Sequence, residues 1–185
     1  MPRLPLLLAT LTALAACGGP ATQFVVPAAS LTESVAVSTR SVEVLDVSLP
    51  TYAASDEITV QGADGALTSS GSVLWADTPE RAITLELSRA LGTITNAQVA
   101  PEPWPFRDFA DARLDVRVET LLAGPDGIFR ATGQYFVASE IGRADRARRF
   151  ALSTPYDVAA GPAAIAAARG IVIRDLALLI ARDGL

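Results

Sequence analysis

The hydrophobic pattern of the chain changes period several times, and each change marks an element. A mostly apolar run of thirteen residues, Leu4 to Ala16, opens it. From Gly18 to Arg40 the chain mixes Gly, Pro, Ala, Ser and Thr, a composition that reads as a tether, and the apolar piece Phe24 to Val26 inside it predicts a short edge strand ending at Pro27. From Val42 to Leu49 apolar and polar residues alternate with one slip at Leu45, which predicts a half-buried strand stopped by Pro50. "EITVQ" and "GSVLWA" predict two more short strands around the turn-forming stretch "GADGALTSS".

The period then becomes helical. Ile83, Leu87, Ala90 and Leu91 share one face of a helix, with Asp77 or Thr78 as its N-cap, Pro79 in its first turn and Gly92 expected at its C-cap. A short strand into Val99 gives way to the proline-rich loop through Pro101, Pro103 and Pro105. Leu114, Val116, Val118 and Leu121 mark one face of a long strand, paired across "GPDG" with "GIFRATGQYFVASE" and followed by the strand "RRFALSTPY". Ile165, Ala168, Val172, Leu176, Leu179 and Ile180 line a C-terminal helix in which Gly170 reads as a weak point. Strands, helix, strands, helix predict an α+β two-layer sandwich, its sheet mainly antiparallel or mixed and its two helices on one face.

The opening run is too short to span a membrane, which takes about 20 apolar residues. With Arg3 before it and small residues at its end it has the form of a signal peptide. Leu14-Ala15-Ala16-Cys17 resembles the lipobox of bacterial lipoproteins, and Cys17 is the sole cysteine in the chain. That resemblance implies cleavage before Cys17, a diacylglyceryl group on its sulfur and an acyl group on its new amino terminus. Gly18 stands where an aspartate would signal retention in the inner membrane, so the expected destination is the outer membrane, periplasmic face. The expected organisation is a signal peptide at 1–16, a lipidated tether at 17–40 and one domain at 41–185.

Removing the leader leaves 169 of the 185 residues, and its Arg3 is one of 15 basic residues, so 14 remain against 20 acidic ones. The net charge near −6 and the single basic cluster, Arg143 to Arg149, argue against nucleic acid as a partner. No second cysteine exists to form a disulfide, so the core must hold the domain. The chain also has no histidine and no lysine, which removes Ser-His, Cys-His and Ser-Lys catalytic pairs and the commonest metal ligand. Candidate carboxylates for an envelope hydrolase are Asp108 with Asp111, or Asp126; loop carboxylates of this kind are ordinarily solvated surface. No cofactor is expected. Trp75 and Trp104 read first as packing residues, with Trp104 among prolines the better candidate for a ligand platform.

One longer pattern remains. Leu49, Pro50 and Tyr52 after the first long strand, the short strand Ile58 to Val60, and Trp75-Ala76 at the helix entrance resemble the auxiliary lipoprotein family of ABC-type transport systems, the PqiC-like proteins. Ala53 stands where the family usually has leucine, and "QFVV" replaces its usual Tyr-x-Leu opening. The resemblance implies a non-enzymatic outer-membrane lipoprotein working with a PqiB-like MCE protein and a PqiA-like or ABC inner-membrane component in phospholipid transport, docked as a ring of identical subunits. Leu49, Pro50, Tyr52 and Trp75 would then be structural or partner-contacting positions. A lipid-binding carrier is the alternative, and it requires an open pocket lined by Ile and Val.

Overall fold

A computed structural model describes residues 20–142 and 144–185; Cys17, the leader and Arg143 lie outside the described residues. In chain order the elements are β1 (Thr22–Phe24), β2 (Ser41–Val44), α1 (Thr51–Ala54), β3 (Val60–Gln61), β4 (Leu67–Thr68), β5 (Val73–Trp75), α2 (Pro79–Ile94), β6 (Gln98–Pro101), β7 (Ala112–Ala123), β8 (Ile128–Ser139), β9 (Arg146–Pro155) and α3 (Pro162–Asp183). The fold is an α+β sandwich. Strands β7, β8 and β9 form an antiparallel meander, and the other side of β7 is shared between two short strands that run parallel to it. β2 pairs with its start, Val42 opposite Ala112, and β3 with its end, Val60 opposite Ala123. β6 extends the sheet beyond β2 and β4 beyond β3, while β1 and β5 make a separate parallel pair.

The alternation in β7 explains the layering. Ala112, Leu114, Val116 and Val118 are buried while Arg113, Arg117 and Glu119 are exposed, so one side of the sheet takes the helices and the other stays wet. A bulge at Glu119 shifts the register, Val118 facing Gly133 and Thr120 facing Thr132. Gly133 is obligatory there, because a Cβ would stand 2.2 Å from the Arg117 carbonyl oxygen and 2.9 Å from the Phe150 ring. Beneath this face Leu87, Leu91 and Ile83 of α2 and Leu176, Ile180 and Val172 of α3 fill a continuous core with Val42, Val44, Leu114 and Tyr135.

Five expectations are corrected, the fifth in the N-terminal segment. The strand expected over Val42 to Leu49 ends at Val44, with a last bond from the Leu45 amide to the Leu114 carbonyl; the chain then arcs out through Asp46, the Val47 amide donates to Thr84 Oγ1, and pairing resumes when the Ser48 amide donates to the Val116 carbonyl. The slip at Leu45 is that arc. Pro50 does not simply end a strand, since its carbonyl accepts from the Ala53 and Ala54 amides and opens the short helix α1. Gly92 is not the C-cap of α2: the helix runs on to Ile94, which is core, and ends where both the amide and the hydroxyl of Thr95 donate to the Leu91 carbonyl. Gly170 is a landing site, because a Cβ there would lie 2.7 Å from the Pro27 carbonyl oxygen as the N-terminal segment crosses α3.

That segment lies along the domain as far as residue 40. β1 pairs with β5, the Val35 amide donates to the Ile94 carbonyl, the Val37 amide donates to Asn96 Oδ1, and the hydroxyls of Ser38 and Thr39 donate to the Leu185 carbonyl. The strand expected at Phe24 to Val26 therefore sits slightly earlier, at Thr22–Phe24, because its partner is β5. Among the described residues no helix is long and apolar enough to cross a membrane.

Candidate functional site

The motif positions brace the strands beside one concave surface, while Trp75 lies in a neighbouring cluster. Leu49 is half-buried against the core, and α1 follows it. Tyr52 uses both ends of its residue: its hydroxyl accepts from the Leu121 amide at 3.3 Å, and its carbonyl accepts from the Thr59 hydroxyl at 3.1 Å. Those bonds tie β7 to the stretch Ile58 to Val60. The Ile58 amide then donates to the Val73 carbonyl and the Trp75 amide to the Asp56 carbonyl, so β5 is fixed alongside.

Ile58, Val60 and Val73 so placed meet Ile165 of α3 and enclose a groove of about 500 Å³. Tyr156 forms a wall, held by its hydroxyl on the Gly124 carbonyl at 2.7 Å, and burial pushes that hydroxyl above the ordinary phenol range. Val158 stands at one lip, Ser69 and Ser70 at the other, and none of the lining residues carries a charge. The volume suits a small molecule or one end of a lipid. Ile58 to Val60 and Trp75-Ala76 belong to the recognised pattern; Ile165 and Val158 come from the C-terminal region, where the sequence signalled only a helix face.

Trp75 closes a different cluster. The Arg169 guanidinium stacks 4.4 Å from its ring centroid and donates to Glu86 Oε1 at 2.9 Å, with only 2% of Arg169 exposed. Burial raises the Glu86 carboxyl above its usual range despite the adjacent cation, and Glu86 Oε2 and Arg169 Nε have no hydrogen-bond partner. Arg169 escaped sequence reading because an arginine in an alanine-rich helix looks like its wet side; Glu86 and Trp75 lie 83 and 94 positions earlier.

Two of the three candidate carboxylates are held in ion pairs with arginine. Asp111, before β7, accepts from the Arg40 amide and from its Nε, both at 3.1 Å. Asp126, in the turn after β7, pairs with Arg130, whose hydrogen bonds hold its carboxyl down to about 2. The Asp108 carbonyl accepts from Trp104 Nε1 at 2.7 Å, and Trp104 meets Phe106 edge to face at 4.8 Å. This loop folds onto the open side of the sheet, where the Trp104 amide donates to Glu43 Oε1 and Arg113 donates to Glu43 Oε2. Phe109 is 90% exposed. The described arginines of the basic cluster, Arg146, Arg148 and Arg149, are exposed at the start of β9, and Arg146 donates to the Asp183 carbonyl. Among the described residues no group of three His, Cys, Asp or Glu side chains is placed to hold a metal.

Two solved structures, among others, share the fold. An uncharacterized protein superposes with a TM-score of 0.71 at 19% identity, covering 88% of this chain and 98% of its own. A protein of Xanthomonas campestris superposes with a TM-score of 0.63 at 17% identity, covering 87% of this chain and 93% of its own. At these identities the likeness speaks to the fold. Among curated proteins no sequence relative matches. The family comparison is more specific, since residues 24–181, from β1 nearly to the end of α3, match the model of the ABC-type transport auxiliary lipoprotein component, and the chain belongs to that family.

Proposed function

We propose that the protein is an outer-membrane-anchored periplasmic accessory subunit of a PqiABC-like transport system, held by acyl groups on Cys17 and docked against a PqiB-like MCE protein that works with a PqiA-like or ABC inner-membrane component. Its role in that system is non-enzymatic: it fixes the outer-membrane end of a phospholipid path, as a ring of identical subunits, and so supports envelope integrity. The observation that carries the reading is the family match across residues 24–181. The leader and Cys17 supply the address. The test is affinity purification of the full-length protein from membranes in mild detergent. An MCE-domain protein is expected in the eluate; its absence after cross-linking in intact cells would sink the proposal.

A second reading, a lipid carrier, draws support from the aliphatic lining of the groove. In that case phospholipid co-purifies with the protein in stoichiometric amount, and Val158→Asp removes it.

A further inference from the structure

The groove between β3, β5 and α3 differs chemically from four other concavities among the described residues. Those beside Gly170, Trp75, Trp104 and Leu31 each bring arginine together with glutamate or aspartate. This one brings no charge at all, and its lining is Ile58, Val60, Val73, Ile165 and the 55% exposed Val158, with Tyr156 as a wall. An ionic ligand would find no opposite charge there, and the polar groups, Gln61, Thr68, Ser69 and Ser70, come from the β3–β5 side and leave the Val158 and Ile165 side apolar. A hydrocarbon chain gains about 0.8 kcal/mol for each methylene taken out of water, so one that passes from bilayer to groove exchanges one apolar surrounding for another at little net cost as long as it stays covered.

The groove also lies where the chain enters the fold. The Thr22 amide donates to the Ser72 carbonyl at 2.8 Å, the Ser72 hydroxyl is 2.8 Å from that of Ser70, and Ser70 lines the groove. From Cys17 to Thr22 the backbone spans at most roughly 17 Å when fully extended. A group tethered so closely is present at the groove at an effective concentration on the order of millimolar. Two acyl chains suffice for stable anchoring, and a triacylated cysteine has three, so one can leave the bilayer without releasing the protein.

We propose that the groove accepts one fatty acyl chain of the protein's own Cys17 lipid, which seats the domain with its β3–β5 end down on the membrane. The proposal rests on the lipidation of Cys17 put forward above. The groove then orients the domain, since the remaining chains hold the protein at the bilayer and the seated one sets which surfaces face it. The wet side of the sheet and the start of β9, at Arg146 to Arg149, stay clear for a partner.

The test uses the full-length protein in cells fed palmitate bearing a terminal diazirine, with washed membranes irradiated and peptides mapped by mass. The expected result is a cross-link from the Cys17 peptide to peptides containing Val60, Val73, Val158 or Ile165 of the same molecule. Val158→Asp, at an exposed lip, lowers that yield about tenfold or more with Cys17 labelling unchanged, because a carboxylate resists burial against hydrocarbon. Mixing isotopically heavy and light protein separates links within one molecule from links between two. Labelled Cys17 that cross-links only to bilayer lipid, or only to a second copy, overturns the proposal. So does a groove that captures labelled phospholipid equally well in Cys17→Ala, which would favour the carrier reading. Absence of any label on Cys17 removes the lipidation reading itself and this proposal with it.

Discussion

On the side of the sheet that α2 and α3 cover, a polar group has either a specific partner or none. Arg169 is enclosed between Trp75 and Glu86, and Tyr135 is fully buried with its hydroxyl unbonded. On the other side Arg113, Asp115, Arg117, Glu119, Gln134 and Arg130 stand in rows along β7 and β8, where they pair with neighbours while remaining in water. Arg117 pairs with Asp115 and lies 4.9 Å from the Phe136 ring centroid, yet 63% of its side chain is exposed. The two sides teach that the same ion pair is a different object on each. Removing a partner on the helix side strands a charge in a low dielectric, whereas on the wet side water takes its place.

That contrast can be broken most directly at Arg169. Arg169→Leu takes away the cation bonded to Glu86 Oε1 and the ring contact with Trp75, and a loss of about 3–5 kcal/mol is expected in chemical denaturation. A loss below about 1 kcal/mol would mean that the pair behaves like a surface one. Tyr135→Phe should act in the opposite direction, since it removes a buried hydroxyl that bonds to nothing; a gain of about 1 kcal/mol is expected, or roughly 2–4 °C in Tm for a domain of this size. Destabilisation instead would show that the hydroxyl has a partner in solution.

The smallest effect belongs to Asp126 on the wet side, and it depends on pH. Arg130 lowers its carboxyl from 3.8 to about 2, so the native state holds this proton less tightly than the unfolded chain. Its contribution is therefore complete above the unfolded value and is lost as pH falls through about 2. Asp126→Asn should match the parent at the acid end, fall only slightly short of it near neutrality because water screens the exposed pair, and lose stability less steeply between pH 4 and 2. A large difference at pH 7 would contradict the contrast between the two sides.

How far the sequence reveals this molecule depends on the range of the signal. The helices, the meander and the sandwich are legible because periodicity is local: the three-residue step from Val118 to Leu121 even contains the bulge. Gly92 misled because a glycine near a helix end resembles a cap, while the helix was prolonged by burial of Ile94, a tertiary effect. Gly170 looked like a weakness for a related reason, since what requires it is Pro27, 143 positions away. The groove was half legible. Its β3 and β5 walls sit inside a recognisable pattern, but its α3 wall depends on how the C-terminal helix returns to those strands.

The crossing of Pro27 over Gly170 has a mechanical consequence. A pull on the chain end does not first take up slack across the twenty-four residues from 17 to 40; it meets the β1–β5 pair and then the contact on α3. Because β1 and β5 are parallel, drawing Thr22 outward along the strand loads their hydrogen bonds in shear. On the proposed anchoring, the leash is only the stretch from Cys17 to Thr22, and the domain rides close to its membrane like a moored hull.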